Sequence, residues 1–247
     1  MTKKRTKRIA VHGPTPLARR GIHEKVLEII GSETRGKVLD IPTGTGALSL
    51  KLKKMGFDVY CCDINEDHFE LTGLPFKKGN MNERLPYEED SFDYVVCLEG
   101  IEHTENPFNA MREFARVLRK GGKLILSFPN YLNIEKRIKF LITGSLTRPT
   151  NPLLFVGEST SDLAMLHLNP ITYTTLKFFL VVQGFSIVDI AIDKKKKKQK
   201  FLYPLVWLIT LYTSFWPKRQ KEKYWLKETL SPTIIMGGNT TIVIAQK

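Results

Sequence analysis

Apolar residues along the chain fall into two alternating patterns. Short apolar-rich runs occur at KVLDI (37–41), FDVYCCD (57–63), FDYVVCLE (92–99), GGKLILSFPN (121–130) and FSIVDIAI (185–192). These read as strands, KVLDI as a buried one. LPFKKGN (74–80) reads as a weaker strand in third place. Between the runs, apolar positions recur with helical spacing. One helix is expected over 15–31 (Leu17, Ile22, Val26, Leu27, Ile30), ending near Gly31, and another from the TGTG turn (43–46) to about Met55. A third spans 106–119, with Phe108, Met111, Phe114, Ala115 and Leu118 on one face, and a fourth covers about 171–183. Tyr131–Ile142 is a further helix-like stretch, and TIIMGGNTTIVIAQK (233–247) reads as strand, turn, strand. Strands alternating with helices predict an α/β fold: a doubly wound, Rossmann-like sheet with helices on both faces. Such sheets bind ligands outside the carboxyl ends of their strands.

Candidate chemistry sits at those ends. Asp40-Ile-Pro-Thr-Gly44-Thr-Gly46 directly follows the first strand. Glycines there let the backbone turn tightly and approach a ligand, and the next helix presents free N–H groups to an anion. Asp63 ends the second strand, where a carboxylate can accept from two ribose hydroxyls. Gly79-Asn80-Met81 follows the third, with backbone and amide groups suited to an adenine edge. The spacing is not GxGxxG, and no GK[ST] occurs, so dinucleotide and P-loop readings fail.

VLDIPTGTG, CDIN, LPYEEDSFDYVVCLEGIEH and EFARVLRKGGKLILSFPN, in that order, resemble the class I S-adenosylmethionine-dependent methyltransferases from about residue 20 to 192. The resemblance implies a seven-stranded sheet whose last strand is antiparallel, with S-adenosyl-L-methionine as cofactor. It implies that Asp40, Gly44 and Gly46 surround the methionine part, Asp63 binds the ribose, and Asn80 and Met81 flank the adenine. Pro42, Ile64 and Glu99 complete the candidate cofactor set. Pro42 stands where the family usually has its first glycine, and Asn80 replaces a frequent Asp.

After the fourth strand comes Glu99-Gly-Ile-Glu102-His103. If helical, it would place two carboxylates and an imidazole on one face. His167, in LHLNP, is a further imidazole expected at the same edge. Glu99, Glu102, His103 and His167 thus form a candidate site for Mg²⁺ or Zn²⁺. The pattern resembles ubiquinone-biosynthesis O-methyltransferases and small-RNA 3′-terminal 2′-O-methyltransferases, in which it implies a divalent metal on the acceptor hydroxyls. Without metal, His103 or His167 is the candidate catalytic base. His12, His23 and His68 have no comparable context and read as surface residues.

The 247 residues are 42% apolar and 26% charged, which excludes wholesale disorder. No apolar run reaches the ~20 residues of a spanning helix. Cys61, Cys62 and Cys97 lack CxxC spacing and suggest a reducing compartment, and the basic start MTKKRTKRIAVHGP has no apolar signal region, so a cytoplasmic location is expected. The net charge of +13 is uneven: residues 1–20 carry +7, residues 194–223 carry +9, and the rest sums to −3. Residues 1–14 therefore read as a basic arm, 15–193 and 229–247 as the methyltransferase domain, and 194–228 as an insert where the family usually has a short hairpin. In that insert KKKKKQK and PKRQKEK flank FLYPLVWLITLYTSFW (201–216). Aromatic and apolar residues between lysines suit an anionic membrane surface, with nucleic acid as the weaker alternative. The expectation is a membrane-associated methyltransferase acting on a hydroxyl of a small, lipid-linked or amphipathic acceptor, with Tyr131–Ile142 as a lid. The alternatives are an RNA ribose 2′-O-methyltransferase and a non-catalytic cofactor-binding scaffold.

Overall fold

The computed structural model of the chain describes residues 13–147 and 167–247. Residues 1–12, with most of the basic arm and His12, lie outside the described residues. The described chain forms one seven-stranded sheet in the order β3-β2-β1-β4-β5-β7-β6. The strands are β1 (Lys37–Asp40), β2 (Asp58–Asp63), β3 (Phe76–Lys78), β4 (Phe92–Leu98), β5 (Leu118–Pro129), β6 (Ser186–Ile192) and β7 (Thr240–Gln246). β1 to β5 pair in parallel, and β7 runs antiparallel to both β5 and β6. This is the doubly wound α/β arrangement expected from the pattern, with the antiparallel last strand that the resemblance implies.

Successive strand residues point to opposite faces. Along the inner strands β1, β2, β4, β5 and β7 both faces are largely covered, which is why those runs are rich in apolar residues, whereas the edge strands β3 and β6 keep exposed positions. Val38, Val59, Val96, Ile125 and Ile242 pack on one side, against Ile22, Val26 and Ile30 of α1 (Ile22–Gly31) and Leu48 and Leu52 of α2 (Ala47–Lys54). Their neighbours Leu39, Val95, Leu124 and Val243 face the other side. There they meet Met111 and Phe114 of α3 (Pro107–Val117) and, beyond α4 (Ile134–Thr143), Leu176 and Leu180 of α5 (Tyr173–Val182). The three cysteines are free and buried.

Three elements differ from the pattern. The helix expected from residue 15 begins only at Ile22, because Pro14 and Pro16 cannot supply helical N–H groups and Gly21, at φ 95°, turns the chain into α1. The first half of 233–247 is not a strand but one helical turn. Ser231 precedes Pro232 at the first helical position, and Gly237-Gly238 follows. The stretch beginning at Tyr131 becomes helical at α4, whose cap Asn133 accepts from the Lys136 N–H at 2.9 Å. Only Ile134 of α4 is buried, whereas Leu141 and Ile142 are 85% and 76% exposed.

Between β6 and β7 the chain forms a 3₁₀ turn (Lys197–Leu202), then α6 (Tyr203–Ser214), α7 (Lys218–Lys223), α8 (Leu226–Thr229) and α9 (Pro232–Ile235). α6 is apolar all round, yet Thr213 is its single buried residue, so it is not a core helix. Among the described residues, no helix is long and apolar enough to cross a membrane.

Candidate active site

The strand order reverses between β1 and β4, and their carboxyl ends open into a cavity of about 400 Å³. Asp40 ends β1, 2% exposed, and accepts from Ser49 Oγ at 2.5 Å and Thr43 Oγ1 at 3.2 Å. Burial pushes its carboxyl up to about 7, opposed by those two hydroxyls. The turn then passes Pro42, whose ring lies so close to Gly100 that a Cβ there would fall 2.3 Å from Pro42 Cδ. Gly44 (φ 52°) and Gly46 (φ 86°) take conformations that side chains rarely adopt, and Gly46 caps α2.

Asp63, at the end of β2, braces this turn. Its Oδ2 accepts from the Gly44 N–H at 2.8 Å and its Oδ1 from the Asn65 N–H at 3.0 Å. Each carboxylate oxygen retains acceptor capacity toward a ligand. Asp40, Pro42, Gly44, Asp63, Ile64, Asn80, Met81 and Glu99 all line the cavity; Gly46 shapes the turn beside it. Asn80 is held by Glu83, to which its amide donates at 3.0 Å, and by Asn82, whose N–H it accepts at 3.0 Å.

The acidic turn after β4 is not the α-helix that the spacing suggested. Glu99 has φ 46°, and only Ile101–His103 forms a 3₁₀ turn. Glu99 therefore leaves the expected four-residue cluster: its carboxylate accepts from the Arg19 N–H at 2.7 Å and pairs with Arg19 Nε at 3.3 Å. Burial raises its pKa, and Arg19 opposes the shift. The structure does bring Glu102, His103 and His167 together, with one ligand atom from each within 4.8 Å of the others. The two rings meet edge to face at 4.9 Å. Glu102 is 1% exposed, neither of its carboxylate oxygens has a hydrogen-bond partner among the described residues, and burial pushes its carboxyl up to about 8. The pKa of His167 is lowered, by burial first and then by His103, and Tyr131 Oη lies 3.2 Å from its Nδ1.

Sequence reasoning missed what places these groups. Asn169 donates its N–H to Glu102 O at 3.1 Å and its amide to Thr104 O at 2.5 Å, which pins the His167 segment to the acidic turn. Leu17, Ala18 and Arg19 line the cavity rather than starting a helix, and Thr45 Oγ1 donates to Thr15 O at 2.8 Å. His23 is no surface residue: it is 7% exposed, borders the cavity, has an Nδ1 without a partner among the described residues, and is pushed down to about 4 by burial. His68 borders the cavity too. The His23 signal was available, since it lies beside Ile22 and three residues before Val26 on the apolar face of a helix.

A fold wound this way, with an acid-glycine turn after β1 and an acid after β2, defines a nucleoside-cofactor-binding class, and similarity to known proteins narrows it. Residues 39–126 match the family described as Methyltransferase domain. The chain is 30% identical over 190 residues to the ubiquinone/menaquinone biosynthesis C-methyltransferase UbiE of a Shewanella species, spanning 68% of this chain and 75% of that one. It is 25% identical over 191 residues to the ubiquinone biosynthesis O-methyltransferase of Proteus mirabilis, spanning 66% of this chain and 75% of that one. A SAM dependent methyltransferase from Archaeoglobus fulgidus superposes with a TM-score of 0.58 at 21% identity, over 92% of this chain and 96% of that one. The chain belongs to the class I S-adenosylmethionine-dependent methyltransferases.

Proposed function

We propose that the chain transfers the methyl group of S-adenosylmethionine to a hydroxyl of a small amphipathic or lipid-linked acceptor, working at a membrane surface. The observation that carries the acceptor side is the Glu102, His103 and His167 cluster, which lies in the same cavity as the Asp40–Gly44–Asp63 turn. The cofactor brings a methyl group already activated on a sulfonium, so no nucleophile is asked of the protein. Asp40 and Gly44 would border the methionine part, Asp63 and Ile64 the ribose, and Asn80 and Met81 the adenine, with Pro42 closing the floor and Glu99 holding Arg19 over the pocket. What remains for the protein is to align an acceptor oxygen and take its proton. His167 suits that role, because burial and the neighbouring His103 lower its pKa and so favour the neutral ring, and Tyr131 Oη sits beside its Nδ1.

The same donors fit a divalent cation. Two imidazoles stand beside a buried carboxyl whose oxygens have no partner among the described residues, an arrangement that costs free energy unless a proton or a cation answers it. Held by Glu102, His103 and His167, Mg²⁺ or Zn²⁺ would lower the pKa of an acceptor hydroxyl.

Glu102→Gln and His167→Ala should keep S-adenosylmethionine affinity and lose methyl transfer from labelled cofactor to phenolic and quinol lipids. Wild-type transfer by both variants would sink the acceptor site, and a chain that binds no cofactor would sink the whole reading in favour of a scaffold. Elemental analysis of wild type against Glu102→Gln decides between metal and base. The name of the Shewanella relative favours a second outcome, methylation of an acceptor carbon, which NMR of the product distinguishes. Transfer to RNA ribose in place of lipids would move the acceptor to nucleic acid.

A further inference from the structure

We infer that α6, the Lys197–Leu202 turn and the exposed end of α4 form one docking surface for the headgroup layer of an anionic bilayer. The inference rests on the functional reading for its purpose, naming the partner of the acceptor side, but its geometry stands apart from methyl transfer.

α6 has the composition of a buried helix in an exposed position. Phe201, Trp207, Leu208, Tyr212 and Phe215 are 88%, 62%, 54%, 67% and 80% exposed. An apolar surface of that kind marks an interaction site. Twelve residues at 1.5 Å each give a length of about 18 Å, well short of the ~30 Å hydrocarbon core, so the helix would lie in one leaflet. Trp and Tyr rings favour that boundary.

The charges choose the partner. Lys194–Lys198 and Lys200 precede α6, and Lys218, Arg219, Lys221 and Lys223 follow it. The one acid among residues 194–223, Glu222, is 3.8 Å from Lys218. A second copy docking face to face would set this +9 segment against itself. Nucleic acid would meet Leu, Ile, Val and Phe where base stacking needs a polar aromatic groove. An anionic bilayer satisfies both features, lysines at the phosphates and apolar rings below them.

Position ties the surface to the acceptor side. Lys196 forms an ion pair with Glu135, and α4 packs against the Lys197–Leu202 turn. α4 starts three residues after Tyr131, the partner of His167, and its far end presents Phe140, Leu141 and Ile142 to solvent. One short helix thus links the histidine pair to the apolar surface.

The test uses the full chain with phosphatidylcholine vesicles, with and without phosphatidylglycerol. Trp207, Trp216 and Trp225 are the chain's three tryptophans and all lie in the insert, so their emission reports on it directly. Expected are co-sedimentation with the phosphatidylglycerol vesicles, a blue shift of emission, and weakening by salt. Leu208→Ser/Phe215→Ser, Leu141→Ser/Ile142→Ser and Lys195→Gln/Lys198→Gln should each lower partitioning about tenfold or more, with melting temperature and cofactor affinity unchanged. No binding to phosphatidylglycerol vesicles, or variants that partition like wild type, would overturn the inference. So would capture of an RNA oligonucleotide, or self-association lost in Leu208→Ser/Phe215→Ser, with vesicles left unbound. Vesicle binding by a chain that fails to bind S-adenosylmethionine would sink the enzyme reading and leave the docking surface standing.

Discussion

Replacing Asp63 separates its two duties, bracing the glycine turn and meeting a ribose. The carboxylate accepts from the Gly44 and Asn65 N–H groups at 2.8 and 3.0 Å and is 7% exposed. Asp63→Ala leaves both donors without their protein acceptor, at about 1–3 kcal/mol each if nothing replaces it. Cavity water can answer part of that, so a loss of about 3 kcal/mol is expected. For a chain of this size that lowers the melting temperature by about 6–12 °C. Asp63→Asn keeps one acceptor but turns an NH₂ toward the other backbone N–H, and about half the loss should remain. If the ribose hydroxyls also bond here, losing two bonds at about 1.5 kcal/mol each weakens cofactor binding about 100-fold. Thermal melts and calorimetric titration with S-adenosylhomocysteine read the two effects separately. A lowered melting temperature with unchanged affinity would remove the ribose role, and no change in either would refute the bracing argument as well.

Four further outcomes are expected. Gly46→Ala forces a side chain into φ 86° with its Cβ 2.7 Å from Leu71 Cδ1, so urea unfolding should show a loss of at least about 1–2 kcal/mol. Folded His23 takes its proton near pH 4 and the unfolded chain near 6.5, so stability present above 6.5 is lost as pH falls through that window; urea melts of wild type should lose up to about 3 kcal/mol more than His23→Asn between pH 7 and 4. Asn169→Ala frees the segment that carries His167, and steady-state assays should show transfer reduced about tenfold or more with cofactor affinity intact. Arg116 donates to Glu113 and to the carbonyls of Leu85 and Tyr87, so Arg116→Ala strands a buried carboxylate and should cost about 3 kcal/mol in chemical denaturation.

Local signals carried most of the fold. Apolar-rich runs pointed to a sheet whose inner strands are covered on both faces, as Val38 and Leu39 on opposite sides of β1 show. Helical periodicity located α2, α3 and α5 because each buries one face against that sheet. The cofactor turn was readable because Gly44 and Gly46 occupy backbone conformations that almost no other residue tolerates. Even the misread start of 233–247 had a local remedy, since Ser231-Pro232 is a helix-start signal that the β-branched run obscured.

Other decisions depended on partners distant in sequence. Arg19 meets Glu99 across 80 residues, which turns an expected helix start into a segment lining the pocket and leaves Glu99 out of the Glu102, His103 and His167 cluster. His167 reaches Glu102 and His103 through Asn169, 65 residues from the carbonyl its amide holds. Whether α6 is buried or bare could not follow from its composition, because an apolar helix reads alike in a core and on a surface until its neighbours are known. The sequence alone determined which residues can turn, alternate and carry charge, since those are properties of single residues and short spacings. Tertiary structure alone decided which acids face each other, which histidine is buried and which apolar helix is left exposed, since these depend on the low-dielectric surroundings that only packing creates.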